Sequence, residues 1–575
     1  MTATVSAPTV ETREQQLVSP VRRGHRSWSW LSVLGGTAAI GAHGALYGSW
    51  FVDDAAITFA YSRSIAEGLG PVVQPGAQPV EGFSNPTWTV LLSCGRLLGL
   101  FDRGELFGVP DYVLFPKGLA LLCIVGMLAV CHGVAHRVTQ HAWLVTLAVG
   151  GMLAVIPSFV IWCFSGLENS LYTLIIVGLA ALLWHASLDG RLLSTKVAVV
   201  AGLLAAAAAL TRPEGLIYGG AYPLAMLVQL RRSELAAAVR GTALSVAAFA
   251  LPVGAYVSWR YLEFGRLLSN PSVAKAQDVP ELSDLLRPTE LIGYAGPLVV
   301  LAAAMIVGMA LGRSMAWKPG LACLLVPLLL AVVAYAVLQP DWMAQYRFAT
   351  PIWALGSLVV VLSAVEVFSQ GRHRTVLALG LLAAIVPSAH AFRAHAREFR
   401  AVPNISMCYV ADRLGRVPNA YADILGASDA SILIPDLGGS AMTSKLRLID
   451  MGGLVEPKIA DFMNSGDMAG MRDWVFAEVK PTFIHSRSIW GGYNGISSDP
   501  RMRDYVQIYR YELPGPPAGD WVRRDALHGE GTLRELREYA ESVVAEVDRK
   551  DAAGDWPRRH CGPTLRPGQS EVGQA

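Results

Sequence analysis

Charge is scarce in this chain. Of its 575 residues only 16% are Asp, Glu, Lys or Arg, where soluble domains carry about 25%. That shortage excludes a disordered chain and an ordinary cytosolic enzyme. The 47 basic and 45 acidic residues nearly cancel, leaving a net charge of +2. A nucleic-acid binder, with its basic footprint, is excluded with them. Cysteine is sparse too. There are seven, with no C-x-x-C, and the twelve His show no ligand spacing, so neither a zinc nor a thiol-redox centre is indicated. Cys94, Cys123, Cys131, Cys163 and Cys323 lie in apolar stretches and read as small buried hydrophobes. Cys408 and Cys561 lie in the polar C-terminal part and can form a disulfide if that part is outside the cell. The motifs G-x-S-x-G, G-x-x-x-x-G-K-S/T and H-E-x-x-H are all missing, so nothing points to an esterase-type elbow, to ATP use or to a zinc protease.

Apolar sequence fills the space that charge leaves. The hydrophobic share is 53% and the mean hydropathy +0.39, which makes a multi-span membrane protein the leading class. Twelve apolar stretches occur, at 28–50, 85–100, 112–134, 142–164, 169–186, 196–211, 215–230, 236–260, 290–311, 319–338, 349–368 and 375–391. The connectors with Arg191 and Lys196, with Arg231, Arg232 and Arg240, with Arg313 and Lys318, and with Arg372 and Arg374 are basic. By the positive-inside rule they face the cytoplasm, as does the cluster Arg22, Arg23, His25 and Arg26. Connectors 50–84, 162–168, 211–215, 261–290 and 339–348 then face out. Twelve crossings would conflict with this pattern. The short stretch 85–100, which contains Arg96, is therefore read as not crossing, leaving about eleven spans. The expected architecture is a polytopic α-helical membrane protein with a C-terminal exterior α/β domain. It divides into a cytoplasmic tail at 1–28, a transmembrane catalytic domain at 29–392 and an exterior soluble domain at 393–575. Within the last, 431–435 and 481–485 read as strands and 456–463 as a helix. The final 25 or so residues, rich in Pro, Gly and charge, read as disordered.

Residues 51–88 carry the strongest chemical signal. Asp53 and Asp54 are adjacent where the first apolar stretch meets the outer surface, and acids at a membrane boundary are functional candidates. Glu81, Asn85 and Trp88 follow in the same loop. The other outward connectors add polar residues: Glu168 and Asn169; Arg212 and Glu214; Arg260, Arg266, Asn270 and Lys275; Asp341, Trp342, Gln345, Tyr346 and Arg347. For a single Arg or Lys, snorkelling to the interface is the plainer reading. Acids, cations and aromatics recurring on one side of a bundle suit an anionic substrate group beside a hydroxyl awaiting deprotonation.

The runs "FVDDAAITFAYSRSIAEGLGPV" and "VEGFSNPTW" resemble the GT-C class of membrane glycosyltransferases. Within that class the chain resembles the actinobacterial (mycobacterial and corynebacterial) terminal arabinofuranosyltransferases of cell-wall arabinan. The likeness continues through "SGLEN", "TRPEG", "NPSVAK", "DWMAQYRF" and "ILIPDLGG…LRLIDMGGL", over about residues 51–455. The resemblance implies a GT-C-like bundle, a decaprenyl (polyprenyl) phosphate-linked sugar donor and an acceptor glycan outside the membrane. It implies Asp53 and Asp54 as catalytic carboxylates, with Asp53 slightly favoured. Arg212, Lys275 and Arg347 become candidates for the donor phosphate. Glu81, Asn85, Trp88, Glu168, Glu214, Trp342 and Tyr346 become candidates for sugar or acceptor. The implied product is a terminal β-(1→2) arabinofuranose on the arabinan of arabinogalactan or lipoarabinomannan. It forms from a β-linked donor with net retention, which needs a second displacement or a same-face mechanism. No cofactor is required by this reading, and the two acids leave room for a divalent cation. Its competitor is a transporter or flippase, which would place charge near the bilayer midplane and show internal repeats. Neither feature is present in the sequence.

Overall fold

A computed structural model describes residues 26–275, 281–370, 374–552 and 561–569. The expected tail at 1–28 lies almost wholly outside the described residues. Apolar composition becomes helix throughout the first two thirds of the chain. Among the described residues five helices are long and apolar enough to cross a membrane: Asp111–Ala135, Asn169–Leu188, Arg232–Phe264, Lys318–Val337 and Arg347–Ser369. The number is up to seven if each of two bent pairs is one span. The count of eleven came from apolar stretches, several of which the backbone breaks. Stretch 142–164 splits into Ala142–Val155 and Pro157–Cys163, bent by 86°. Pro157 has no N–H to continue the first helix. Stretch 290–311 bends by 108° between Leu282–Ala295 and Pro297–Leu311, where Gly296 takes a φ of +98° ahead of Pro297. Stretch 215–230 is a 3₁₀ turn, Pro213–Gly220, and a short helix, Ala221–Gln229. Stretch 85–100 forms Pro86–Leu97, a helix of 12 residues. At 1.5 Å per residue it reaches about 18 Å, too short to cross. The first helix, Arg26–Ala45, packs on Ala142–Val155 through small residues. A Cβ on Gly150 would lie 2.7 Å from the Cα of Gly36, so the two backbones touch as small-residue helix pairs in membranes do.

Beyond the last apolar helix, Arg374–Ala401, the chain builds a five-stranded sheet. Its order is Arg447–Asp450, Ser431–Ile434, Phe483–Ser486, Ala518–Arg523, Tyr505–Tyr511. The first three strands are parallel and the last two antiparallel to their neighbours. Both strands expected from sequence form, as does the helix, at Pro457–Ser465. The sheet is tied to its covering helices by a buried polar core. Arg413 Nη2 and Tyr421 Oη donate to Asp520 Oδ2 at 2.8 and 2.9 Å, and His485 Nδ1 lies 2.6 Å from Asp520 Oδ1. Burial alone would raise the Asp520 carboxyl, but Arg413 and His485 beside it hold it down at about 2. Burial keeps His485 neutral. Charge is here spent on joining elements, with no open face.

The sheet domain docks onto the helix Asp53–Ala66 in three places. Residues 51–53 pair with 405–407: Val52 bridges Ser406, and the Asp53 N–H donates to the Ile405 carbonyl at 3.1 Å. The Asp53 carboxylate accepts from the N–H groups of Gly438 (2.9 Å) and Gly439 (2.7 Å), at the start of the helix Gly438–Thr443. Near the far end of Asp53–Ala66, Arg63 donates to Asp102 at 2.7 Å and to the carbonyls of Met442 and Leu565. Leu565 belongs to the end expected to be disordered. Residues 561–569 are instead packed: Cys561 bonds Cys408, its carbonyl accepts from Arg416, and Arg566 pairs with Asp102. Composition records the Pro, Gly and charge of this segment but not partners 145 to 464 residues away.

Two stability predictions follow from this docking. The disulfide closes a loop with a sequence separation of 153, worth about 5 kcal/mol in the chain-entropy account. Cys408→Ser, Cys561→Ser and the double variant should lower the melting temperature equally, because each removes the same bond. Unequal losses would show that the thiols act separately. A Cβ at Gly438 would lie 1.9 Å from the Asp53 carbonyl oxygen. Gly438→Ala should therefore destabilise the protein by at least about 1–3 kcal/mol, an overpacking cost, read as earlier unfolding in thermal melts.

Candidate active site

Adjacent residues at a helix start point in different directions, and the two acids separate accordingly. Asp53 is 3% exposed and faces the sheet domain. Burial and the neighbouring Asp436 and Asp54 raise its carboxyl, while the two glycine amides pull it down. Asp54 stays partly open, its side chain 21% exposed, with Lys275 Nζ 3.8 Å from Oδ2. The Lys275 side chain is itself half exposed, at 48%. On the sheet side Asp436 stands close enough to raise Asp53 electrostatically and to be raised by Asp54. Its own carboxyl is raised first by burial, against the pull of Arg487, whose Nη2 lies 3.1 Å away. The seam between bundle and sheet thus carries Asp54 with Lys275, and Asp436 with Arg487.

Four other sequence candidates meet one another in a separate buried network. Asn85 Nδ2 donates to Glu168 Oε2 at 2.5 Å, Arg212 Nη1 to Glu168 Oε1 at 2.5 Å, and Arg212 Nε to Glu214. Arg212 also lies over the rings of Tyr172 and Phe348. Two carboxylates and two aromatic faces thus occupy this guanidinium. Arg347 is similarly held, by Asp341 at 2.5 Å and over Phe348. Glu81 is buried and bound by Tyr256 Oη at 2.7 Å and by Arg260. Trp88 is 1% exposed and donates its indole N–H to the Gly166 carbonyl, so it offers no ring face. Of the three cations assigned to phosphate from sequence, Lys275 is the one with an exposed ammonium.

The loop 339–348 forms a further hollow. Trp342, exposed, and Tyr346 line a cavity of about 350 Å³ with Tyr294, Tyr335, Phe348 and His395. Gln345 and Tyr346 both have positive φ, at 66° and 52°, a strained turn of the kind found at functional sites. Trp162 Nε1 binds the Gln345 carbonyl at 2.9 Å and Tyr294 Oη the Gln345 amide oxygen at 2.7 Å.

Sequence reading assigned no role to Asp436, Arg487, Gly438 or Gly439. The signal for three of them was present in "ILIPDLGG", an apolar strand followed by an acid and a glycine pair, a pattern for a strand-to-helix turn. Arg487 carried no signal, since its place depends on strand pairing across the sheet. Among the described residues no three His, Cys, Asp or Glu side chains converge as a metal site.

No family model matches the sequence, and no curated protein matches it. Solved structures do. The oligosaccharyltransferase of Archaeoglobus fulgidus, crystallised with zinc and sulfate, is 12% identical and aligns with 86% of this chain and 73% of its own, with a TM-score of 0.52. ArnT from Cupriavidus metallidurans, bound to undecaprenyl phosphate, is 12% identical and aligns with 88% of this chain and 100% of its own, again with a TM-score of 0.52. This chain therefore shares the fold of these two structures, an apolar helical bundle carrying a sheet-containing domain, in keeping with the GT-C-like bundle expected from sequence.

Proposed function

We propose that the protein is an integral membrane glycosyltransferase that moves a sugar from a polyprenyl-phosphate carrier to a glycan outside the membrane. The observation that carries this reading is the position of Asp54, a partly open carboxylate beside a half-exposed ammonium where the apolar bundle meets the sheet domain. A lipid-linked substrate reaches such a seam from the bilayer while a soluble acceptor reaches it from water. The undecaprenyl phosphate bound by ArnT supports a lipid-phosphate donor. The Cys408–Cys561 disulfide supports an extracytoplasmic sheet domain.

In this reaction an acceptor hydroxyl oxygen bonds to the anomeric carbon of the donor sugar on the face from which the phosphate departs, the same-face course that retention requires. The bond from that carbon to the phosphate oxygen breaks, and polyprenyl phosphate leaves with the electron pair. Asp54 takes the hydroxyl proton as it is lost. Lys275 offsets the charge growing on the leaving phosphate. Asp53 acts by positioning, since its oxygens are already engaged by two amides. Arg212 and Arg347, each satisfied by a buried carboxylate, shape the walls. Trp342 and Tyr346 present aromatic faces to a sugar ring at the hollow under loop 339–348. The sequence resemblance narrows the substrates to an arabinofuranose donor and an arabinan acceptor, with a terminal β-(1→2) residue as product.

The test is direct. Purified protein in lipid nanodiscs, given polyprenyl-phosphoryl arabinose and a short arabinan, should extend the acceptor by one residue. Asp54→Asn should slow transfer about 10²–10⁴-fold, the contribution of a positioned base, and melt like wild type. Asp53→Asn should lose about 1–3 kcal/mol of stability, because one buried amide loses its acceptor. Full activity in Asp54→Asn, or no extension by wild type, would overturn the proposal.

A further inference from the structure

Asp436 and Arg487 occupy a particular place in the sheet. Strand Ser431–Ile434 lies between Arg447–Asp450 and Phe483–Ser486, parallel to both. From its carboxyl end the chain turns to one side, through Gly438–Thr443 to Arg447–Asp450. From the carboxyl end of Phe483–Ser486 it turns to the other side, through Ser488–Asn494 toward the antiparallel strands. The two loops diverge and leave a crevice between them. In open α/β sheets this switch point, at the carboxyl ends of the strands, is where ligands bind. Asp436 is the second residue after one strand and Arg487 the first after the other, so their ion pair spans the crevice mouth.

The crevice opens toward Asp54. Asp53 is clamped to Gly438 and Gly439, two and three residues after Asp436, so the next acid on its helix stands by the Asp436 turn. The charge of Asp54 accordingly reaches Asp436. Arg487 is packed over the Tyr409 ring at 5.7 Å from its centroid, yet its side chain remains 33% exposed. Among the described residues its carboxylate partner is Asp436, met through Nη2, which leaves guanidinium N–H groups for an incoming anion. Arg212 pairs with two buried acids, and Arg347 is sealed at 10% exposure.

We infer that Arg487, steadied by Asp436, is a ligand of the donor's phosphate, so that the sheet domain supplies half of the lipid-phosphate site. This rests on the glycosyltransferase reading above. Lys275 approaches the phosphate from the bundle side and Arg487 from the sheet side, and the sugar's anomeric carbon then lies toward Asp54. A planar guanidinium can meet two phosphate oxygens at once, which an ammonium cannot.

The test uses the full chain in nanodiscs, with undecaprenyl phosphate as the probe. Wild type should bind it, Arg487→Gln should bind at least tenfold more weakly, Arg487→Lys should recover part of that loss, and Asp54→Asn should bind at least as tightly as wild type. Gel filtration and melting establish that each variant is folded. On unmutated protein, bound undecaprenyl phosphate should protect Arg487 from a dicarbonyl arginine reagent, mapped by mass spectrometry, and inorganic phosphate at equal concentration should not. Wild-type binding with unchanged affinity in folded Arg487→Gln, or without protection of Arg487, overturns this inference and leaves the enzyme reading standing. No binding by wild type overturns both.

Discussion

The clamp of the Asp53 carboxylate on the amides of Gly438 and Gly439 is the constraint on which the rest of the site depends. A carboxylate this deeply buried must find donors or unfold its surroundings. Its donors come from a turn 385 residues further along the chain. The helix Asp53–Ala66 of the bundle and a sheet whose first strand in the chain begins at Ser431 are thereby held in one register. Every other contact in the seam inherits that register. The strand-like pairing of 51–53 with 405–407 secures the entry to the helix Asp53–Ala66. Arg63, drawing on Asp102 and on the Leu565 carbonyl, secures its far end. The helix that presents Asp54 is fastened at both ends and cannot drift away from the sheet.

Charge economy decides which of the remaining groups are free to meet a substrate. Moving a cation into a low-dielectric interior is costly unless an acid moves with it. Three arginines at the bundle end follow this rule: Arg212 with Glu168 and Glu214, Arg260 with Glu81, Arg347 with Asp341. These pairs read in sequence as a rich catalytic inventory. In three dimensions most of them neutralise one another and hold loops together. Lys275 and Arg487 differ in being exposed by a third or more while lying beside acids of the seam.

The broad architecture was legible because it rests on local composition. Apolar runs became helices, the polar C-terminal part became an α/β unit, and its two strands and one helix fell close to their expected places. The stretch read as not crossing forms the 12-residue helix Pro86–Leu97, whose length agrees with that reading. Counting spans worked less well, because a proline or a glycine–proline step breaks a stretch without changing its hydropathy. The site was legible in its residues and illegible in their pairing. Asn85, Glu168, Arg212 and Glu214 were all picked out, yet their joining into one buried network depends on loops that sequence treats separately. Trp88 could not be told from an exposed aromatic, because the glycine carbonyl that binds its indole lies 78 residues away.

The adjacency of the two acids itself explains why they are unlike. Successive residues on a helix point about 100° apart, so a side chain aimed into the sheet domain sends its neighbour elsewhere. Asp53 and Asp54 thus cannot act as a symmetric carboxylate pair sharing one proton. One is consumed in building the seam, and that act turns the other toward the opening. The sheet domain answers with Asp436 from the same turn that binds Asp53. A single strand-to-helix junction therefore both anchors the bundle's helix and delivers an acid to the group that the anchoring leaves exposed.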